Sequence, residues 1–169
     1  MKEHPSLLDT LDQVRYDGVA CLAAIIQKPG PGVHVRVRHA QVLEGVGLEG
    51  DHRKKDWWKG KRIPEREITA ISREVLDVIG ASVEVPGDNL ILEGVDLRQL
   101  KEGSLIQIGS SVILKRARKL HRPCGLFAER ISEEARQAVS ELQLRGALFS
   151  VVRGGMITQG DSVHTMENQ

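Results

Sequence analysis

Aromatic side chains are scarce in this chain of 169 residues, at 3%: two Trp, two Phe and one Tyr. A single core of the size this length allows must therefore be filled by Val, Ile, Leu and Ala. Cysteine is scarcer still. Cys21 and Cys124 stand in unlike contexts, so they make no disulfide framework, and nothing gives either of them metal-finger spacing. Excess charge of one sign is missing as well, with 24 Lys and Arg against 23 Asp and Glu. That balance excludes a general affinity for nucleic acid or for a membrane surface. No apolar run approaches the ~20 residues of a membrane span. Met1-Lys2-Glu3-His4-Pro5 leads into a polar, amphipathic stretch, not a secretory signal. No internal repeat or low-complexity segment is present. The expectation is one cytoplasmic domain.

What is there is mostly strand and turn. Leu7, Leu8, Leu11 and Val14 recur at helical spacing behind Ser6, which predicts a short helix in an N-terminal extension over 1–18. The domain proper is expected over 19–165. Gly18 to Ile26 reads as a largely buried strand with Cys21 inside it as a packing residue, ended by Lys28-Pro29-Gly30. Val33 to Arg38 alternates apolar and basic residues, as a half-solvated strand does. Residues 45–64 read as a loop with Trp57 and Trp58 exposed among lysines, either a lid or a partner surface. Ile68 to Ser72 predicts a strand, followed by a helix over Arg73 to Ile79 with Ser72 as its N-cap and Gly80 behind it. Asn89 to Gly94 predicts another strand. Leu105 to Ile108 and Val112 to Lys115 flank Gly109-Ser110-Ser111 as a hairpin. Ser132-Glu133-Glu134-Ala135 opens a helix, and strands follow from Ala147 to Val152 and after Gly154-Gly155. Strands outnumber helices, so the fold class is mainly β with a few helices (α+β), barrel-like.

Cys124 is the first candidate for chemistry. It follows Arg116, Arg118, Lys119, His121 and Arg122 and precedes a helix start. Positive charge lowers a thiol's pKa, and the thiolate is the form that attacks, carries sulfur or ligates a soft metal. Local composition alone leaves this reading level with that of an ordinary small apolar residue in a loop.

Six segments in order decide between them: Gly47-Leu48-Glu49-Gly50-Asp51-His52, Arg66 to Ser72, Gly87-Asp88-Asn89-Leu90 with Glu93 to Leu97, Leu100 to Gly109, Arg122-Pro123-Cys124, and Arg153 to Asp161. Their order resembles the MOSC family, the domain named after the C-terminal part of molybdenum cofactor sulfurase. The resemblance runs from about Val19 to Val163. It implies a β-rich fold like the barrel domain of pyruvate kinase, with Cys124 at the family's key cysteine. There it would either ligate molybdenum of a molybdenum–pterin cofactor or carry sulfur as a persulfide. A lone cysteine is too few ligands for a closed zinc or iron–sulfur site.

Other positions follow with the resemblance as cofactor-binding candidates, each beside a plainer alternative. Asp51 and His52 orient a ligand or a water near the cysteine, or form an Asx-type turn. Arg66 reaches an anionic group, or is a surface charge. Asn89 reads a pterin edge, or begins a strand. Arg122 adds charge beside the thiol. Arg153 takes a cofactor phosphate with Gly155 admitting backbone amides, or the pair is a turn. Asp161 is a turn acid.

The expectation is a chain without the N-terminal β-barrel domain of the amidoxime-reducing relatives, a fused ferredoxin-like domain or the sulfurase's pyridoxal-phosphate domain. Pyridoxal phosphate is therefore a family-level association only. A stand-alone bacterial-type member would take a small-molecule substrate or cofactor and rely on separate redox or sulfur-donor proteins. A second copy, in a homodimer, is one source of the missing ligand surface. The implied activity is reduction of N-hydroxylated compounds or sulfur handling. A non-catalytic module binding a small anion or a partner through Trp57 and Trp58 is the alternative from another class. A Cys-His hydrolase using His52 or His121 is the weakest reading.

Overall fold

The computed structural model describes residues 3–166. Residues 1 and 2 of the expected N-terminal extension lie outside that range. Helix α1 (Leu7–Asp12) begins at Ser6, whose hydroxyl accepts from the Asp9 N–H while Asp9 reaches back to the Ser6 N–H. This reciprocal cap is worth about 1 kcal/mol to a helix too short to stand alone. Its Leu11 is buried against the domain.

The main sheet has eight strands in the order β13-β9-β10-β11-β7-β8-β1-β2. These are β1 (Cys21–Gly30), β2 (Val33–Val37), β7 (Ile68–Ser72), β8 (Leu90–Glu93), β9 (Leu105–Ile108), β10 (Val112–Arg116), β11 (Ala147–Arg153) and β13 (Val163–Met166). Only β7 and β8 run parallel, joined through helix α2 (Arg73–Ile79), as a parallel pair requires a crossover. A three-stranded sheet of β3 (His39–Leu43), β4 (Gly47–Leu48) and β12 (Gly155–Thr158) packs on one face. Helices α1, α2, α3 (Gly125–Arg130) and α4 (Glu133–Glu141) cover the other. Strands β5 (Trp57–Trp58) and β6 (Lys61–Arg62) form a separate small hairpin.

Two apolar clusters result. One holds Leu22, Ile25, Val42, Leu48, Ile68, Leu90 and Phe149 between the sheets. The other holds Leu11, Ala24, Ile26, Ile71, Leu76, Ile91, Phe127 and Val139 under the helices. Strands β1, β7 and β8 serve both, which is why they read as unbroken apolar runs rather than alternating ones. A register shift between Leu22 and Ala24 lets Leu22 and Ile25 share one face.

The mainly-β class holds, and the barrel stops short of closure. Strand β13 does not ladder to β1 or β2; one bridge, Cys21 to Ser162, spans the seam. Leu22 N donates to Asp161 O at 2.8 Å, and Val163 N donates to Ala20 O at 3.1 Å. Two local expectations change. The 45–64 loop carries β4 and the β5–β6 hairpin, with Trp57 opposite Arg62 and Trp58 opposite Lys61. Ser72 precedes α2, but its hydroxyl donates to Val95 O at 2.7 Å and leaves the helix uncapped by a side chain.

Candidate functional site

The site lies at one end of the main sheet. Register pairs Arg116 with Phe149 and Phe149 with Ile68, so β10 ends where β7 begins. Leu90 stands opposite both Ala70 and Ile25, which brings the start of β8 and the later half of β1 to the same level. The segment carrying Cys124 leaves from there.

Asp51 anchors the floor. Its carboxylate accepts from Lys28 N at 2.7 Å, Lys55 Nζ at 2.9 Å and Asn89 Nδ2 at 2.9 Å. Lys55 also donates to Glu67 O at 2.7 Å. Gly47, at φ +106°, is what lets this happen: a Cβ there would collide with both Glu67 O and the Lys55 amine. Asn89 donates its other amide proton to Ile26 O at 3.3 Å and accepts from Thr69 N at 3.2 Å. Both of its amide protons are therefore used inside the fold. Asn89 thereby crosslinks β1, β7 and the Asp51 turn. His52 is half-buried, with its N–H donating to Lys28 O at 2.8 Å.

A second, deeper group surrounds Asp88. This carboxylate is fully buried and paired with Arg145, which is itself 7% exposed and packed over the Phe127 ring. His121 Nδ1 lies 3.6 Å from Asp88 Oδ1, too far for a hydrogen bond. Burial first, and then Arg145, Arg66, Lys28 and Arg116, hold the His121 pKa well below its ordinary value. The imidazole is therefore neutral near pH 7, and its contact with Asp88 is not an ion pair.

Lys28 is lowered to about 8, mainly by burial, with Lys55 and Arg66 adding to the effect against Asp88 and Asp51. Arg66 is lowered by burial and by Arg145, while Asp88, Cys124 and Asp56 oppose this. Among the described residues, neither the Lys28 amine nor the Arg66 guanidinium has a hydrogen-bonded carboxylate. Lys55 and Arg145 are paired; Lys28 and Arg66 are left over. A surplus of partly buried positive charge is an electrostatic receptor for an anion.

Cys124 is exposed and stands at the N-cap of α3, where its side chain makes no capping bond. The cations next to it in sequence do not all face it. Arg116 is buried and bonds the carbonyls of Ala117 and Lys119, and His121 is neutral. Arg66, far away in sequence, lies within electrostatic range of Cys124. Its neighbour Glu65 holds the same segment, accepting from Arg118 N at 3.3 Å. Arg122 is exposed.

Arg153 and Gly155 are not brought into this group. Arg153 pairs with Ile113 and donates from Nε to Ser111 O, four residues (roughly 13 Å) along β11 from the Phe149 level. Gly155 packs on Ser111, where a Cβ would collide with its hydroxyl. Asp161 accepts from Thr158 N at 2.8 Å, the turn-acid role expected of it. Lys28, Lys55, Asp88 and Arg145 had no role in the sequence reading. The Asp51–Lys55 spacing and the buried setting of Arg145 between Leu144 and Gly146 were the available signals.

The MOSC domain family model matches residues 54–164. The chain belongs to the MOSC domain family. That span takes in the Trp57–Trp58 hairpin, the Asp88 group and Cys124. The fold is similar to that of the YuaD protein of Bacillus subtilis, with a TM-score of 0.72 and 22% identity over 90% of this chain and 98% of that one. It is also similar to YiiM of Escherichia coli, with a TM-score of 0.64 and 16% identity over 88% of this chain and 71% of that one. YiiM of Geobacillus stearothermophilus gives 0.63 and 17% over 88% and 75%. No curated protein matches the chain. No helix among the described residues is long and apolar enough to cross a membrane.

Proposed function

We propose that this MOSC domain binds a molybdenum–pterin cofactor through Cys124 and serves the reduction of N-hydroxylated compounds. The supporting observation is an exposed thiol within electrostatic range of Arg66, which, like the Lys28 amine beside it, has no hydrogen-bonded carboxylate among the described residues. The donor set suits the group. A thiolate is a soft ligand for molybdenum, and a phosphorylated dithiolene cofactor is an anion that needs partners of this sign. No cluster of three His, Cys, Asp or Glu among the described residues offers a competing metal cage.

When bound, the cofactor would supply the two-electron redox step, with electrons from a separate redox protein. The chain's own residues position and neutralise. Cys124 would be the protein ligand, Arg66 would balance the charge beside it, and Asp51 would hold Lys55 and the Lys28 backbone so that the Lys28 amine faces the site. Lys28 holds its proton below about pH 8, so it can donate to the oxygen leaving the substrate as water.

A persulfide carrier is the second reading, favoured by the exposure of Cys124 without a hydrogen-bond partner. The thiolate would attack the outer sulfur of a donor persulfide, forming Cys124–S–S⁻ and releasing the donor's thiolate. Metal analysis and intact mass spectrometry on protein from a cofactor-competent host separate the two. Molybdenum present in the wild type and lost in Cys124→Ser supports ligation; a mass gain of one sulfur on Cys124 without molybdenum supports carriage. Neither signal, together with a Cys124→Ala variant that keeps every wild-type activity, sinks both.

A further inference from the structure

A cavity of about 270 Å³ lies behind the Cys124 segment, between the 3₁₀ turn Leu97–Gln99, residues 116–123 and helix α4. Cys124, Asp51, Asn89, Lys28 and Arg66 do not line it. Its wall carries Arg98, Arg116, His121 and Arg122 and not one acidic side chain. Arg98 is already held by Asp96 at 2.9 Å. Among the described residues, no carboxylate holds Arg116. It is 6% exposed, its Nε is buried with no partner, and its Nη1 bonds only backbone carbonyls. Glu102, an acid close enough to act on it, is exposed and forms no ion pair with it. A buried guanidinium without a counter-charge is costly to keep. Here it stands in a cavity of mixed lining, with Leu97, Leu120, Pro123 and Val139 as its apolar part and Ser140 and Gln143 as neutral polar groups.

We infer that this cavity is a binding site for a small amphipathic organic anion, a carboxylate or phosphate monoester. Its head pairs with Arg116, and its apolar body lies against Leu97, Leu120 and Val139. The site is separate from the thiol centre, with His121 as the wall between them: its Nδ1 faces Asp88, and the ring borders the cavity. Arg122 and Pro123 line the cavity and lead directly into Cys124, so an occupant would brace the segment that presents the thiol.

Phenyl phosphate and benzoate, titrated into the full chain by calorimetry with protein-observed NMR, test this. Both are expected to bind saturably at a one-to-one ratio, while benzyl alcohol, of similar shape and no charge, does not. Ser140 is exposed on α4 at the cavity rim. Ser140→Glu is therefore expected to fold normally and to weaken binding at least tenfold, and Arg116→Gln to abolish it. Should Arg116→Gln fail to fold, Ser140→Glu together with Leu120→Glu decides. Cys124→Ser should leave phenyl phosphate binding unchanged, which keeps this site's fate independent of the cofactor reading. The inference is overturned by no saturable binding up to about 10 mM, a range that covers millimolar ligands. Equal binding of benzyl alcohol, or full affinity in Ser140→Glu, overturns it as well.

Discussion

Lys28 and His121 sit within one charged neighbourhood, and each makes a different forecast. Lys28 is protonated below about 8 and neutral above it, so its help to a bound anion is present at neutral pH and lost in alkali. Affinity for molybdate, measured by calorimetry from about pH 6.5 to about pH 9.5, is expected to fall through pH 8 in the wild type. Lys28→Gln should bind more weakly and without that inflection. For His121 the sign concerns stability. Its folded pKa is depressed, while the unfolded chain takes up the proton near the ordinary value of 6.5. Below that value the unfolded state binds more protons, so stability falls as pH falls toward the folded value. A thermal-melt series should show the wild type losing Tm below pH 6.5 more steeply than His121→Gln. Asp88→Asn would leave Arg145 buried and unpaired, a loss of about 3–5 kcal/mol readable in urea titrations. The order of glycine and acid motifs pointed to Asp51, Arg66, Asn89 and Cys124 in the sequence. Lys28, Lys55 and Arg145 were hidden because their meeting depends on three strands and a helix connection far apart in the chain. Asn89 shows the opposite limit: an amide's capacity is legible from its type, but which groups use it is not.

Periodicity identified α1, α2, α4 and most of the main-sheet strands, because each buries a face wide enough to impose a pattern. It could not identify the β5–β6 hairpin, whose four strand residues are all exposed and follow no burial rule. That hairpin is held by its bases instead: Lys55 grips Asp51 and Glu67, and Arg62 pairs with Asp56 and donates to Gly45 O at 2.7 Å. Glycines separate the tolerant turns from the fixed ones. Gly146, at φ +107°, stands where a Cβ would collide with the Ala70 carbonyl. Gly60, at φ +75°, faces open space. Gly146→Ala should destabilise by about 3 kcal/mol or more, and Gly60→Ala by about 1 kcal/mol, in parallel denaturant titrations.

Two apolar clusters built on shared strands make the molecule one cooperative unit in spite of its layers. Leu11→Ala, in the short first helix, removes a fully buried side chain from the cluster under the helices. It should lower the stability of the whole domain by about 2–5 kcal/mol and not merely fray the helix. Amide exchange in β8, which both clusters share, would report the same loss. The fold class was legible as strand-rich from turn spacing, but the open seam between β1 and β13 was not, since it rests on pairing between the first and last strands. The placement of the two tryptophans has an optical consequence. Both lie in the exposed hairpin, Trp58 at 63% exposure, and the buried aromatic rings of the cores are Phe127 and Phe149. Intrinsic tryptophan fluorescence is thus blind to the cores and works as a local emitter beside Lys54, Lys61 and Arg62, able to signal events at the hairpin while the rest of the domain stays dark.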